Sequence, residues 1–350
     1  MGPDTLPALK RLPSRPLLRA PRGALLPSML MFGVIVASSG LLLMIEKGIL
    51  AEVKTPPPRG DVAWRRAGSR GGEELELQVL RDVRNRTMRQ VCGQRRVARS
   101  VWALPPGARR TLLKHIIVND KYRFLYCYVP KVACSNWKRV LKVLDGRLDS
   151  VDAKLKMDHK SDLVFLSDLS TEQIAHRLRH YYKFLFVREP LERLQSAYRN
   201  KFGEIKEYQQ RYGMEIVRRY RQDSAASKGD DVTFSEFLRY LLDEDEEKMN
   251  EHWMPIYNLC QPCAVPYDFI GTYERLQEDA NHVLDAIRAP AYIKFPEKQA
   301  WYKPVTKETF QYLLCNTPQG LIREVLPKYI MDYSLFAYSL PNITSEYCRQ

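Results

Sequence analysis

Two short stretches hold the residue types that bind a phosphate- or sulfate-bearing ligand. In the first, Lys131 lies in the loop Pro130-Lys-Val-Ala-Cys-Ser-Asn136, between an apolar run and a helical pattern. A helix N-terminus offers backbone N–H groups to an anion, and an ammonium inside the loop reaches the same oxygens. In the second, Arg188 follows another apolar run and Ser196 lies on the helix after it, a suitable second clamp.

The elements around the first loop are predicted from local pattern. Phe124 to Val129 is aromatic and β-branched, which favours a strand that ends at Pro130. A helix is predicted from Ser135, with Ser135 or Asn136 as its cap and Gly146 after its end. No GxxxxGK[ST] motif is present, so this is not a Walker A loop. The alternative is a buried strand entering a helix, with Lys131 merely solvated.

The second stretch repeats this plan. Residues 183–187 form a short apolar run, and Pro190 suits the first turn of a helix. Leu191, Leu194 and Tyr198 share one face of that helix, which leaves Arg188, Arg193 and Ser196 to meet a ligand. Strands alternating with helices predict an α/β fold with a P-loop-like parallel sheet, whose ligand lies at the carboxyl ends of the strands.

The N-terminal region predicts a membrane anchor. Residues 24–45 carry no charge and are about long enough to cross a bilayer, and a basic tail, residues 1–23, precedes them. The positive-inside rule then predicts a cytosolic N-terminus and a lumenal remainder, a single-pass type II topology. Residues 46–75, rich in proline, glycine and charge, are predicted to be a disordered stem, and residues 76–350 the catalytic domain.

Net charge, sequons and cysteine count indicate the class of partner and the modifications to expect. The formal net charge of +14 suits nucleic acid, a membrane surface or an acidic polymer, and a lumenal location favours an acidic glycan over nucleic acid. Sequons at Asn85 and Asn342 predict glycosylation there. Seven cysteines in an oxidising compartment predict disulfides, with at least one thiol left over.

Individual cysteines allow several interpretations. Cys260 and Cys263 are compatible with half a zinc site, a redox pair or ordinary disulfides, and zinc is disfavoured because no second CxxC exists. Cys127 and Cys134 flank the first loop and are interpreted as small buried residues rather than bridges.

Together the two stretches resemble the cofactor site of Golgi carbohydrate sulfotransferases, which use 3′-phosphoadenosine 5′-phosphosulfate (PAPS). The resemblance runs from about Val79 to Gln350, and includes Met157-Asp-His159 and Asn250-Glu-His-Trp-Met-Pro255. It is strongest to the subgroup of chondroitin and dermatan 4-O-sulfotransferases and the HNK-1 sulfotransferase. It implies that PAPS binds, without a metal, to Pro130, Lys131, Val132, Ala133, Cys134, Ser135 and Asn136 (5′-phosphosulfate), and to Arg188, Glu189, Pro190, Leu191, Glu192, Arg193, Leu194, Gln195 and Ser196 (3′-phosphate).

The resemblance also implies a reaction. We expect transfer of sulfate to the 4-hydroxyl of N-acetylgalactosamine next to iduronate in dermatan sulfate, on proteoglycans at the Golgi membrane. Chondroitin or another glycan hydroxyl is the alternative acceptor, and association with other Golgi glycan-modifying enzymes is left open. A lumenal glycan kinase and a non-catalytic binder of anionic glycans are the alternatives from other classes.

Roles within the site follow from the same resemblance. Lys131 is expected to stabilise the bridging oxygen as its bond to sulfur breaks. His159 is the expected general base, because it lies in the same order along the chain as the base of uronate 2-O-sulfotransferases. His252 is the runner-up, Glu251 is a further candidate, and a purely structural role for either histidine is the alternative. Acceptor binding is expected from Lys138, Arg139, Lys142, Arg211, Arg218, Arg219 and Arg221.

Overall fold

The computed structural model describes residues 62–94, 97–151, 161–222, 227–297, 306–341 and 348, with side chains from Leu75 onward. The chain divides into two compact units, Met1–Ser69 and Arg70–Gln350, and the sheet and the site belong to the second. The predicted tail and membrane span, residues 1–45, lie outside the described residues. None of the described helices combines the length and apolar character needed to cross a bilayer.

Five strands form one sheet: β1 (Ile116–Asn119), β2 (Phe124–Cys127), β3 (Val164–Phe165), β4 (Tyr182–Val187) and β5 (Phe269–Thr272), in the order β3-β1-β2-β4-β5. β2, β4 and β5 are parallel, but β1 is antiparallel to both β2 and β3. The predicted parallel sheet is therefore only partly right, and the sheet is mixed. The cause is the tight turn between β1 and β2, since so short a connection can join only antiparallel strands.

The described residues also form α-helices. They are α1 (Val62–Gln94), α2 (Pro106–His115), α3 (Cys134–Leu144), α4 (Thr171–His180), α5 (Pro190–Gly203), α6 (Lys206–Tyr208), α7 (Met214–Tyr220), α8 (Phe234–Asp243), α9 (Ile256–Cys260), α10 (Leu276–Ala286), α11 (Lys307–Cys315) and α12 (Gln319–Leu335). A π-helical turn, Gln209–Gly213, separates α6 from α7. The first βα unit, β2–α3, and the second, β4–α5, form as predicted from the two motifs.

The core beneath the site is aromatic. The Trp137 ring on α3 lies with its centroid 5.0 Å from that of Phe184 and 5.3 Å from that of Phe186, both on β4. Gly271 on β5 is required beside them, because a Cβ there would lie 2.4 Å from the Phe186 ring. These contacts fix α3 against the sheet, and with it the loop that precedes the helix.

Three disulfides join distant segments: Cys92–Cys263, Cys127–Cys260 and Cys315–Cys348. The interpretation of Cys127 as an unbridged residue is therefore wrong, whereas Cys134 has a free thiol as expected. Cys260 and Cys263 do not bond each other. They pin one turn of the chain to β2 and to α1, which is the ordinary disulfide alternative for this CxxC pair.

Helix α1 overlaps the predicted stem. The helix begins at Val62, within the predicted stem, and its buried residues Leu77, Met88 and Cys92 lie from its middle onward. Asn85 lies on α1 and is partly exposed. Asn342 lies outside the described residues, and glycosylation of both remains a prediction.

Candidate active site

The first loop presents unpaired backbone N–H groups. Lys131 and Ala133 have left-handed φ angles of 70° and 57°, and Ala133 caps α3 without any side-chain hydrogen bond. The expected caps, Ser135 and Asn136, are wrong, because α3 begins one residue earlier, at Cys134. In the described part of the chain, the N–H groups of Lys131, Ala133, Cys134 and Ser135 donate to no acceptor.

Two N–H groups of the predicted donor loop already have acceptors within the protein. The N–H of Val132 donates to the carbonyl of Val129 at 3.3 Å, and that of Asn136 to the carbonyl of Ala133 at 3.1 Å, so neither is available as expected. Alternating left-handed residues at a helix N-terminus gather the remaining N–H groups into a concave anion site. The loop therefore fits the phosphosulfate of PAPS without a glycine-rich sequence.

Lys131 is held at this loop by the second motif. Its Nζ donates to Asn200 Oδ1 at 3.0 Å, and the Asn200 amide is fixed by donating to Glu204 at 2.6 Å. Burial, with smaller contributions from the positive charges of Lys201 and Arg188, lowers the pKa of Lys131 to about 8. A bound anion would offset both effects, because it supplies the opposite charge that the site lacks.

Arg188 links the two motifs. It has no exposed surface, its Nη1 donates to the carbonyl of Lys131 at 3.4 Å, and it lies 4.1 Å from the centroid of the Tyr273 ring. Its Nη2 pairs with Glu192 at 3.4 Å, while its buried Nε has no hydrogen-bond partner among the described residues. A buried N–H without an acceptor is unfavourable, and the 3′-phosphate of PAPS is an acceptor of suitable charge.

Arg193 does not face a ligand, contrary to prediction. The guanidinium is buried and donates to three backbone carbonyls, of Pro130 at 3.0 Å, Met254 at 2.7 Å and Glu251 at 2.9 Å. Each of its three nitrogens therefore donates one hydrogen bond, and together they join the first loop to residues 251–254. Its role in the site is to position the loop.

The other predicted 3′-phosphate residues mostly build helix α5. Glu189 caps α5 by accepting from the Glu192 N–H, and it also accepts from the Tyr333 hydroxyl. Gln195 donates to the carbonyl of Thr309 at 2.9 Å. Buried positions on α5 are Pro190, Leu191, Leu194 and Ser196. Of this set, Arg188 has the unpartnered buried donor expected of a phosphate clamp.

Replacing Arg193 with methionine is expected to lower the free energy of unfolding by about 3–5 kcal/mol, because three buried carbonyls lose their donor. Urea unfolding measures this effect. The exposed Arg239 on α8 provides the control, since Arg239→Met should change stability by less than about 0.5 kcal/mol. A cost below about 1 kcal/mol for Arg193→Met would contradict the positioning role.

His252 has the geometry of a general base. Asn250 donates its amide N–H to the Tyr212 hydroxyl at 3.1 Å, so its Oδ1 faces His252 Nδ1, 2.8 Å away. Nδ1 must then carry the ring proton, which leaves Nε2 as a lone-pair acceptor. Burial, followed by the positive charge of Lys201, lowers the pKa of His252 to about 2, so the imidazole is neutral at any working pH.

Glu251 is a fixed carboxylate beside this imidazole. Its Oε2 lies 3.0 Å from His115 Nε2 and accepts from the Tyr128 hydroxyl at 2.9 Å. Although burial raises its pKa, the hydrogen bonds from His115 and Tyr128 help to lower the pKa of Glu251 to about 2. Its two contacts through Oε2 hold this carboxylate in one orientation, which favours an electrostatic or binding role.

His159 lies outside the described residues, so its expected role as base stays a prediction.

The basic residues expected to bind the acceptor differ in burial and in their ion pairs. Lys138, Arg139 and Lys142 are buried: Lys138 lies 3.8 Å from the centroid of the Tyr128 ring, and Lys142 pairs with Asp162 at 3.5 Å. The four arginines 211–221 are more open, but Arg219 and Arg221 already pair with acidic neighbours.

Sequence reasoning missed Asn200, Lys201 and Tyr208. The sequence could have indicated Asn200, because it lies four residues after Ser196 and so shares its helix face. No group of three or more histidine, cysteine, aspartate or glutamate residues in the described ranges could hold a metal ion.

Comparison with known proteins gives a consistent picture. Residues 114–339 match the model of the Sulfotransferase family. The chain is 66% identical to carbohydrate sulfotransferase 14 of Homo sapiens, an alignment that covers 96% of this chain and 95% of the relative. It is 44% identical to carbohydrate sulfotransferase 11 of Mus musculus over 66% of this chain and 68% of the relative. Carbohydrate sulfotransferase 8 of Homo sapiens is 37% identical, over 85% of this chain and 72% of the relative. No solved structure matches significantly.

Proposed function

Because the chain belongs to the sulfotransferase family, we propose that it transfers the sulfuryl group of PAPS to the 4-hydroxyl of N-acetylgalactosamine in dermatan sulfate. The family and the carbohydrate sulfotransferase relatives make it a carbohydrate sulfotransferase and confirm the resemblance found in the two motifs. The observation that carries the proposal is the loop of unpaired N–H groups around Lys131. The acceptor rests on the resemblance of the sequence to dermatan 4-O-sulfotransferase.

The reaction needs few groups. PAPS supplies the sulfuryl group, and the bond between sulfur and the bridging phosphate oxygen breaks with its electron pair left on that oxygen. Lys131, held by Asn200, neutralises the charge that develops there. The sugar hydroxyl oxygen bonds to sulfur, and its proton passes to a general base. Catalysis is then mostly positioning and electrostatics, as in phosphoryl transfer.

We propose His252 Nε2 as the acceptor of that proton. The Asn250 hydrogen bond orients the ring and selects its tautomer, and Tyr208 lies with its hydroxyl 3.2 Å from Nδ1. Burial is the largest cause of its lowered pKa, and the positive charges of Lys201 and Lys131 add to it. Bound PAPS adds negative charge beside these cations, which raises the pKa of His252 and makes the imidazole a better base.

Replacing His252 with asparagine is expected to lower kcat by about 10²–10⁴-fold, because proton transfer loses its acceptor. The affinity for 3′-phosphoadenosine 5′-phosphate (PAP), the product that PAPS leaves after transfer, should not change, since the donor loops are untouched. His159→Asn is the matched comparison under the same assay. If His159→Asn loses kcat and His252→Asn does not, the base is His159 and the geometry of His252 is structural.

The acceptor is tested with the purified protein, labelled PAPS, and desulfated dermatan and chondroitin side by side. Digestion and identification of the labelled disaccharides should place the label on the galactosamine 4-position, with dermatan preferred. A preference for chondroitin would keep the mechanism and overturn the acceptor. Label on neither polymer, with PAPS still bound, would require another hydroxyl.

We further propose that the protein is a single-pass type II protein of the Golgi membrane. The proposal rests on the uncharged residues 24–45, the basic tail before them, and sequons at Asn85 and Asn342. Protease protection in intact vesicles tests the topology. The catalytic domain should be protected, and an N-terminal epitope tag should be digested.

A further inference from the structure

Lys201 is a second cation at the site, with no role in the mechanism above. It follows Asn200 on α5, the residue that holds Lys131. Its Nζ lies 4.1 Å from the centroid of the Tyr208 ring, and the residue is partly buried. Within the described ranges its ammonium has no ion-pair or hydrogen-bond partner. The ring face compensates only part of the hydration that burial removes, so the ammonium is poised for an anionic ligand.

Neighbouring residues connect Lys201 to both Lys131 and His252. At the donor end, Asn200 accepts from Lys131 Nζ at 3.0 Å. At the acceptor end, the Tyr208 hydroxyl lies 3.2 Å from His252 Nδ1, and the two ring centroids are 5.4 Å apart. Tyr208 is thus shared by the Lys201 ammonium and the His252 imidazole.

The electrostatics agree with this placement. The charge of Lys201 lowers the pKa of Lys131 and also that of His252, so it acts on both ends of the site. Burial lowers the pKa of Lys201 itself, and the nearby carboxylate of Glu251 opposes that effect. An anion bound between Lys131 and His252 would therefore also interact with the Lys201 ammonium.

We propose that Lys201 binds the non-bridging oxygens of the sulfuryl group while it passes from the donor to the acceptor oxygen. This inference rests on the proposed function and adds a catalytic residue to it. The bonds that break and form are those described above, and Lys201 remains protonated throughout. Its contribution is charge stabilisation that is strongest when sulfur is bonded fully to neither oxygen.

The acceptor's uronate carboxylate is the other anion that an ammonium here would bind. The sulfuryl group is favoured because Lys201 influences both Lys131 and His252, whereas a neighbouring sugar's carboxylate would lie beyond the reacting hydroxyl. The two ligands predict different kinetics. Stabilisation of the moving group changes kcat with any acceptor, and recognition of a carboxylate changes KM for carboxylated acceptors alone.

The test uses Lys201→Met in the full-length protein, with desulfated dermatan and the same polymer after chemical reduction of its carboxylates. We expect kcat to fall about 100-fold on both acceptors, with KM and PAP affinity changed less than about threefold. Lys201→Arg keeps the charge and should recover much of the rate. The exposed Lys206 gives the control, since Lys206→Met should match the wild type.

Several results would overturn the inference. They are an unchanged kcat, a loss confined to the carboxylated polymer, and a parallel loss of PAP affinity. Slow release of sulfate from PAPS to water, without any acceptor, keeps the test independent of the proposed sugar. If the wild type sulfates neither polymer, the proposed acceptor fails, but Lys201→Met should still slow that hydrolysis.

Discussion

Lys131→Ala is expected to lower kcat by about 10³-fold, or about 4 kcal/mol in transition-state stabilisation, the effect of removing one preorganised donor to a developing anion. Lys131 is the cation inside the donor loop, and its Nζ is held 3.0 Å from Asn200. Steady-state kinetics with saturating PAPS measure the loss. Asn200→Ala should reproduce part of it, because the ammonium then loses its only described hydrogen-bond acceptor.

The pH profile is the control for Lys131. Burial lowers the pKa of Lys131 to about 8, so the free enzyme loses this charge as the pH rises through that value. The kcat/KM of the wild type for PAPS should therefore decline above about pH 8. Lys131→Arg stays charged and should lack that alkaline limb. An alkaline limb unchanged in Lys131→Arg, or near wild-type kcat in Lys131→Ala with intact folding, would contradict the assigned role.

The second large effect concerns stability. Cys127→Ala/Cys260→Ala removes the disulfide between β2 and α9. With Cys92–Cys263 intact, the shortest path through the unfolded chain closes a loop of about 40 residues, so the chain-entropy model expects a cost of about 4 kcal/mol. Denaturant unfolding under non-reducing conditions measures it.

The free thiol supplies the comparison for that experiment. Cys134 is unpaired and partly exposed, so Cys134→Ser should change the free energy of unfolding by less than about 1 kcal/mol. If the double alanine variant were as stable as the wild type, the disulfide between β2 and α9 would contribute nothing to the stability of the fold. Activity should also fall in the double variant, because β2 leads into the donor loop and α9 follows residues 251–254.

Local sequence predicted the elements of the site well. Strand β2, helix α3, strand β4 and helix α5 each formed within a residue or two of their expected bounds, because apolar periodicity and Pro190 act over a few residues. The sequence Thr233-Phe-Ser-Glu236 is likewise a local capping box, and the Thr233 side chain accepts from the Glu236 N–H. The orientation of β1 was not predicted, since the apolar run at its start fits helix or strand equally.

Features that depend on distant residues could not be predicted. The partner of Cys127 lies 133 residues along the chain, and nothing near Cys127 marks it as bonded. Arg193 was assigned to a ligand because it shares a helix with Arg188 and Ser196, but its acceptors are carbonyls of two other segments. Lys138 was expected to bind the acceptor, but it is buried and the Tyr128 ring lies against its ammonium.

The central claim is that the Lys131 loop and Arg188 together hold PAPS. Isothermal titration of the purified protein with PAP, and separately with ATP, tests it most directly. We predict that PAP binds at one site, that ATP binds far more weakly, and that Arg188→Met weakens PAP binding because the 3′-phosphate loses its guanidinium. Equal binding of ATP, or PAP binding unchanged in both Arg188→Met and Lys131→Ala, would contradict the assignment of the two loops.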